Sequence, residues 1–301
     1  MTIEGPDAAQ TWRGLGYGLL GVAMFSVTLP ATRIAVAHWD PVIIGLGRAL
    51  VAAALAGIVL IVTRQARPHG KQWGLLAITS MGVIFGFPLL SAIAMQHVPA
   101  AHGGVVLGVL PLATAAGGVL FARERPSAGF WVLAALGSAA VVVFSLWDGG
   151  GSIHAADILL FVAVAAAGIG YAAGAVLARD MGGWQVICWA LVISIPGLLP
   201  PVLWVLPALT LDVSWAVWGS FAYVAVFSQF VGFFAWYRGL ALGGVAQVGQ
   251  IQLLQPFMTI LFAALLLGEN LTWRTIGFAS LVVLIVWGGR RMPVAIRPAE
   301  R

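Results

Sequence analysis

Charge is scarce in this chain. Asp, Glu, Lys and Arg together make up 8% of its residues, where a soluble globular domain carries roughly 25%. A chain of 301 residues this poor in charge cannot cover itself for water, which excludes a soluble enzyme or binding module. Cysteine is almost absent. Cys188 alone rules out an intrachain disulfide and a cysteine zinc cluster. Lysine occurs once, as Lys71 between apolar runs, so no buried amine is there to hold a retinal. There is no His-Glu-x-x-His, no pair of intramembrane Asp and no Ser-His dyad, so an intramembrane enzyme is not expected, nor any metal or cofactor. The first residues, MTIEGPDAAQTW, lack a basic n-region, so a cleaved signal peptide is not expected either. Strand-period alternation is missing, which excludes a β-barrel.

What is present is apolar. Hydrophobic residues make up 61% of the chain and the mean hydropathy is +1.01. About 20 apolar residues carry a helix across a bilayer. Reading between polar breaks predicts ten spans: 14–37, 41–63, 72–95, 98–122, 127–147, 155–178, 184–206, 214–237, 243–267 and 272–289. Arg13, Arg64, Arg67, Lys71, Arg123, Arg125, Arg179, Arg238, Arg290, Arg291, Arg297 and Arg301 then share one side, and the opposite loops carry no Lys or Arg. By the positive-inside rule both termini are cytoplasmic. The net charge of +5 is therefore a topology signal, and its scatter over loops and tail argues against nucleic acid as a partner.

A shift of 145 residues superposes the chain on itself without a gap. Trp73–Gly74 falls on Trp218–Gly219, Phe85 on Phe230, Pro111 on Pro256, Thr114 on Thr259 and Glu124 on Glu269. This predicts a duplication of five spans. Five is odd, so the second copy enters from the opposite face. The expected architecture is an all-α membrane protein with an inverted repeat. Residues 1–147 form the first half, 148–154 a linker, 155–289 the second half and 290–301 a basic cytoplasmic tail. Such bundles are typical of transporters, which bind substrate near the midplane between repeats.

Two stretches carry a family likeness. PATRIAVAHWDPVIIGLGRAL (30–50) resembles the first-to-second-helix signature of the EamA-type drug/metabolite transporters, and LLQPFMTILFAALLLGENLT (253–272) resembles their fourth- and ninth-helix motif. VLPLATAAGGVLFARERPS (109–127) is a weaker copy, with Arg123 where the second copy has Gly268. The resemblance covers essentially the whole chain. It implies a ten-helix carrier in a bacterial inner membrane that exports amino acids or related metabolites, the aromatic amino-acid exporters being the nearest branch. A multidrug exporter of lipophilic cations is the alternative, although a buried Glu would be expected for it. The partners implied are a small-molecule substrate and membrane lipid. Oligomeric state is not legible.

The polar residues inside the spans are the candidates for the path. Gln247, Gln250, Gln252 and Gln255 crowd one span between Gly243 and Leu267 that has no charge. At about 100° per residue they point to roughly 0°, 300°, 140° and 80°. Lipid cannot satisfy an amide. Interhelical hydrogen bonds, worth about 0.6 kcal/mol each, would account for one of them; four together point to a polar cavity. Pro256 is expected to free the carbonyl of Gln252. Span eight offers two faces, one with Gln229, Phe233 and Trp236, the other with Phe227, Phe230, Phe234 and Tyr237. Phe230, Phe233 and Trp236 are taken as candidate substrate contacts, with core packing as the bland reading. Tyr171, Thr28 and Met24 complete the candidate lining.

Arg48 and Arg33 are candidates to guide a substrate carboxylate. Their bland roles are a pair with Asp40 for Arg48 and snorkelling for Arg33. His97 and His102 read as exposed rim residues. Pro30, Pro88, Pro111 and Pro256 are candidate hinges, and Pro196 is a further break. No acid lies in the middle of a span, which favours uncoupled movement or exchange over proton or sodium coupling. GYGLLG (16–21) mimics a dinucleotide fingerprint but sits inside an apolar run with no preceding strand.

Overall fold

The computed structural model describes residues 8–122, 124–148, 154–290 and 294–296. Helix dominates, because a backbone in hydrocarbon must satisfy its own polar groups. Eight stretches are long and apolar enough to cross a membrane among the described residues. They are α1 (Trp12–Val36), α2 (Ile43–Val62), α3 (Gln72–Ala94), α4 (Ala100–Phe121), α6 (Ala155–Met181), α7 (Gly183–Ala208), α8 (Trp215–Gly243) and α9 (Gln250–Leu267, preceded by the short turn Val245–Gly249). Two further helices, α5 (Ala128–Asp148) and α10 (Trp273–Arg290), pack on each other. The protein is a multi-pass membrane protein. Two three-residue strands, β1 (Glu124–Pro126) and β2 (Val294–Ile296), pair antiparallel and tie the chain after α10 to the loop after α4.

The helix contacts fall into matched pairs. α1 lies along α8, and α6 lies along α3; α2 packs on α7, and α4 on α9. Small residues allow the closest approaches. A side chain at Gly14 would come within 2.8 Å of the Gly243 nitrogen and 3.0 Å of the Gly239 oxygen. Without such seams the facing backbones could not meet.

Several spans are not uniform α-helix. The wider π geometry occupies Ile43–Gly47 in α2, Met81–Gly86 in α3 and Val224–Val231 in α8. The tighter 3-10 geometry occupies Leu107–Val109 in α4 and Gln250–Leu254 in α9. The irregular segments of α3 and α8, and those of α4 and α9, lie at positions that overlap under the 145-residue shift. Pro88, Pro111 and Pro256 each stand in the first two positions of the α segment after such a turn. Pro30 stands in the first turn of Thr28–Val36, after a break at Val27. At these places the missing N–H removes no α-helical bond.

The end of the bundle whose loops lack Lys and Arg is held by polar ties. The Trp39 indole donates to the Thr210 carbonyl at 2.7 Å. The two carboxylate oxygens of Glu269 accept the backbone N–H groups of Ala100 (2.8 Å) and Ala101 (2.9 Å), satisfying the first turn of α4. His102 is buried and not a rim residue: its Nε2 meets Asp157 Oδ1 at 2.7 Å. Asp157 Oδ2 also accepts the His154 N–H at 3.0 Å, capping α6. His97 is exposed. Arg33 is tied to the Met95 carbonyl at the same end.

Candidate functional site

A small cavity of about 20 Å³ lies in the middle of the bundle. Phe25 and Thr28 of α1, Arg48 of α2, Val83 and Phe87 of α3, and Ala167 and Tyr171 of α6 line it, with Ser228, Gln229 and Phe233 of α8 and Gln255 of α9. All three π segments reach it. Val83 lies in that of α3, Ser228 and Gln229 lie in that of α8, and Arg48 follows directly on that of α2. Wide turns of this kind gather at functional sites because they expose backbone groups that an α-helix would hide.

The α3 turn shows how. The Phe87 N–H bonds to the Gly82 carbonyl, one residue further back than in an α-helix. The Val83 carbonyl thereby loses its usual donor, and the next candidate, Pro88, has no N–H. Gln229 Nε2 takes that carbonyl at 3.0 Å. Beside it the Thr28 and Ser228 hydroxyls share a hydrogen bond of 2.8 Å. One wall is aromatic. Phe25 stacks near Tyr171 (centroids 6.4 Å apart, 11° between planes) and lies 5.0 Å from Phe233. Trp236 backs this wall, 5.4 Å from Tyr171.

Arg48 is the one charged side chain among the residues lining the cavity. It is 1% exposed, and its Nε and Nη1 have no hydrogen-bond partner among the described residues. Asp40 is not its partner: that carboxylate is exposed and accepts the Val42 N–H at 2.7 Å. Gln255 is buried with its Oε1 unpartnered. The cavity thus offers a cation, a free amide oxygen, a hydroxyl pair and an aromatic wall.

The structure divides the expected lining. Gln255, Tyr171, Thr28, Phe233 and Arg48 come together around the cavity. The other glutamines do not join them. Gln252 Oε1 accepts the Thr114 hydroxyl at 3.2 Å, an interhelical bond between α9 and α4. Gln250 lines an apolar groove with Trp12, Leu254 and Trp287. The Gln247 side chain lies outside the described residues. The Gln252 carbonyl is not freed by Pro256, because the Gln255 N–H binds it in the 3-10 turn. Met24 lines a separate groove with Trp184 and Arg238. Phe230 packs edge-on to Phe234 at 4.7 Å, and Trp236 stands behind the wall. Of the two faces of α8, the one with Gln229 and Phe233 meets the cavity, while Phe227 is exposed. Arg33 binds a carbonyl away from it.

Sequence reading passes over Phe25, Val83, Phe87, Ala167 and Ser228. A signal existed for two of these, because Val83 and Ser228 are equivalent under the 145-residue shift. Phe25, Phe87 and Ala167 are apolar residues in apolar helices and carry no mark.

A multi-pass helical bundle with a central polar and aromatic cavity is the form of a membrane carrier. The comparisons with known proteins agree. The chain belongs to the EamA-like transporter family, whose model matches residues 12–146 and again residues 154–288. That places it in the drug/metabolite transporter superfamily. It is 45% identical over 287 residues to a Bacillus subtilis (strain 168) protein named Uncharacterized transporter YdeK, covering 94% of this chain and 98% of that one. A second protein of that organism, Uncharacterized transporter YyaM, is 22% identical over 258 residues, 81% of this chain and 83% of its own. A solved crystal structure superposes with a TM-score of 0.65 over 94% of this chain and 95% of the other, at 18% identity, which speaks to fold alone.

Proposed function

We propose that this transporter exports amino acids with large or aromatic side chains by alternating access through the central cavity. The observation that carries the reading is the Arg48 guanidinium, buried in the cavity with two nitrogens unpartnered. A substrate carboxylate would satisfy it with paired, charge-assisted bonds. The Gln255 oxygen would receive the substrate amine, and the side chain would lie against Phe25, Tyr171 and Phe233. The cation exporter of the same fold is disfavoured, because the described lining holds a cation and no carboxylate.

The proposed architecture has ten spans in a bacterial inner membrane with both termini cytoplasmic, and two inverted halves, 1–147 and 155–289, joined by 148–154. The matched contacts of α1 with α8 and of α6 with α3 support the inversion. So do the irregular turns that recur in both halves. Pro30, Pro88, Pro111 and Pro256 then mark where spans can bend as the halves rock.

The test is uptake of a labelled amino-acid panel into liposomes holding the purified protein, without an imposed ion gradient. Flux of phenylalanine, tryptophan or methionine that disappears in Gln255→Leu and Arg48→Gln is the expected result. Absence of amino-acid flux, with or without a proton gradient, together with transport of lipophilic cations, would replace this reading with the multidrug one.

A further inference from the structure

Charge bookkeeping inside the cavity sharpens the substrate class, and this step rests on the carboxylate reading of Arg48 just given. The described lining contributes one full positive charge and no negative one. Arg48 is sequestered from water, and the nearest acid in sequence, Asp40, is exposed and used as a cap. The desolvation of such an ion is offset only by a counter-charge that arrives with the substrate.

The acceptors for an ammonium are all neutral. An ammonium carries three donors. The Gln255 amide oxygen is unpartnered, and the Gln229 amide oxygen and the Thr28 and Ser228 hydroxyls can accept as well. None of them carries a charge to meet a cation. A zwitterion would bring a second positive charge into a site that already holds one, with no acid to meet it.

We infer that the cavity is built for a net monoanion: an aromatic or large apolar carboxylate whose amine is absent or acylated, in preference to the free amino acid. Arg48 holds the carboxylate, the aromatic wall holds the apolar body, and the Gln255 oxygen accepts from a neutral N–H where one is present. The loaded cavity is then electrically neutral, and the burial of the guanidinium is balanced.

The experiment is thermal unfolding of the full-length protein in detergent, where leak of weak acids across a bilayer plays no part. Each of four compounds is titrated: 3-phenylpropionate, N-acetylphenylalanine, phenylalanine and phenethylamine. Ligand binding to the folded state raises the midpoint by mass action. The expected result is apparent affinity for the two monoanions at least tenfold tighter than for phenylalanine, with no shift from phenethylamine. Arg48→Lys should keep that order and Arg48→Gln should erase it, so a poorly folded single variant does not decide the matter. Phenylalanine binding as tightly as the monoanions would overturn the inference and leave the amino-acid carrier standing. Binding of phenethylamine alone would overturn both. The monoanion preference surviving in a folded Arg48→Gln protein would remove Arg48 as its source and end the proposal.

Discussion

The side-chain amide of Gln229 donates to the main-chain carbonyl of Val83 at 3.0 Å, joining the wide turn of α8 to the wide turn of α3 across the wall of the cavity. The bond replaces the one that the π turn and Pro88 together take away. Gln229→Leu leaves that buried carbonyl unsatisfied, at a cost of about 1–3 kcal/mol. A lower unfolding midpoint, with transport reduced, is expected from thermal melts and liposome flux measured side by side. A midpoint equal to that of the parent protein would show that the carbonyl finds another donor.

Arg48→Met should separate stability from function. The substitution removes a buried ion with two unpartnered nitrogens and keeps a long, adaptable side chain. Replacing buried ions by apolar groups of similar volume is neutral or stabilising by about 1–4 kcal/mol. The midpoint should stay level or rise, while flux falls at least tenfold. A large drop in the midpoint would mean that the guanidinium supports the fold and not the substrate.

The pair of His102 and Asp157 is a different case, because both groups are buried and bonded at 2.7 Å. Asp157→Ala removes the partner of the imidazole and the cap on His154 together, and should cost about 3–5 kcal/mol. His102→Ala should cost less, since Asp157 keeps the His154 N–H. A double-mutant cycle read by thermal melts gives the coupling. Additive losses would deny that the two side chains act as a pair.

Gly14 tests the seam of α1 with α8. A methyl there would meet Gly243 and Gly239 backbone atoms at 2.8 and 3.0 Å. Gly14→Ala must push the helices apart, with a loss of about 1–3 kcal/mol. Gly16→Ala, with open space around it, should be harmless. Equal melting of the two variants would show that the seam is looser than these distances.

The multi-pass helical class was legible because its signal is long: apolar runs of about 20 residues, one after another. The site was only partly so. Arg48, Tyr171, Thr28, Phe233 and Gln255 could be picked out as polar or aromatic residues deep in spans. The directions of Gln250 and Gln252 could not, because the α-helical rotation does not apply to them. Gln250–Leu254 winds as a 3-10 helix, at three residues per turn, so each step turns about 20° further than an α-helix allows. In α8 the sequence puts Gln229 and Phe233 on one face but does not say which face meets the cavity, because both faces are aromatic. His102 looked like a rim residue because its partner lies far along the chain.

The wide turns also bear on how this chain tolerates changes of length. A π turn is an α-helix with one residue to spare. Loss of a single codon within Met81–Gly86 would leave enough chain to close an ordinary helix there. The chain beyond the deletion would keep its direction, because the π turn holds about one residue more than an α turn, but the wide opening beside Val83 would close. The span would survive as a span, and the wide turn beside the cavity would be gone. In these segments the number of residues, more than their identity, keeps the wide turns open beside the cavity.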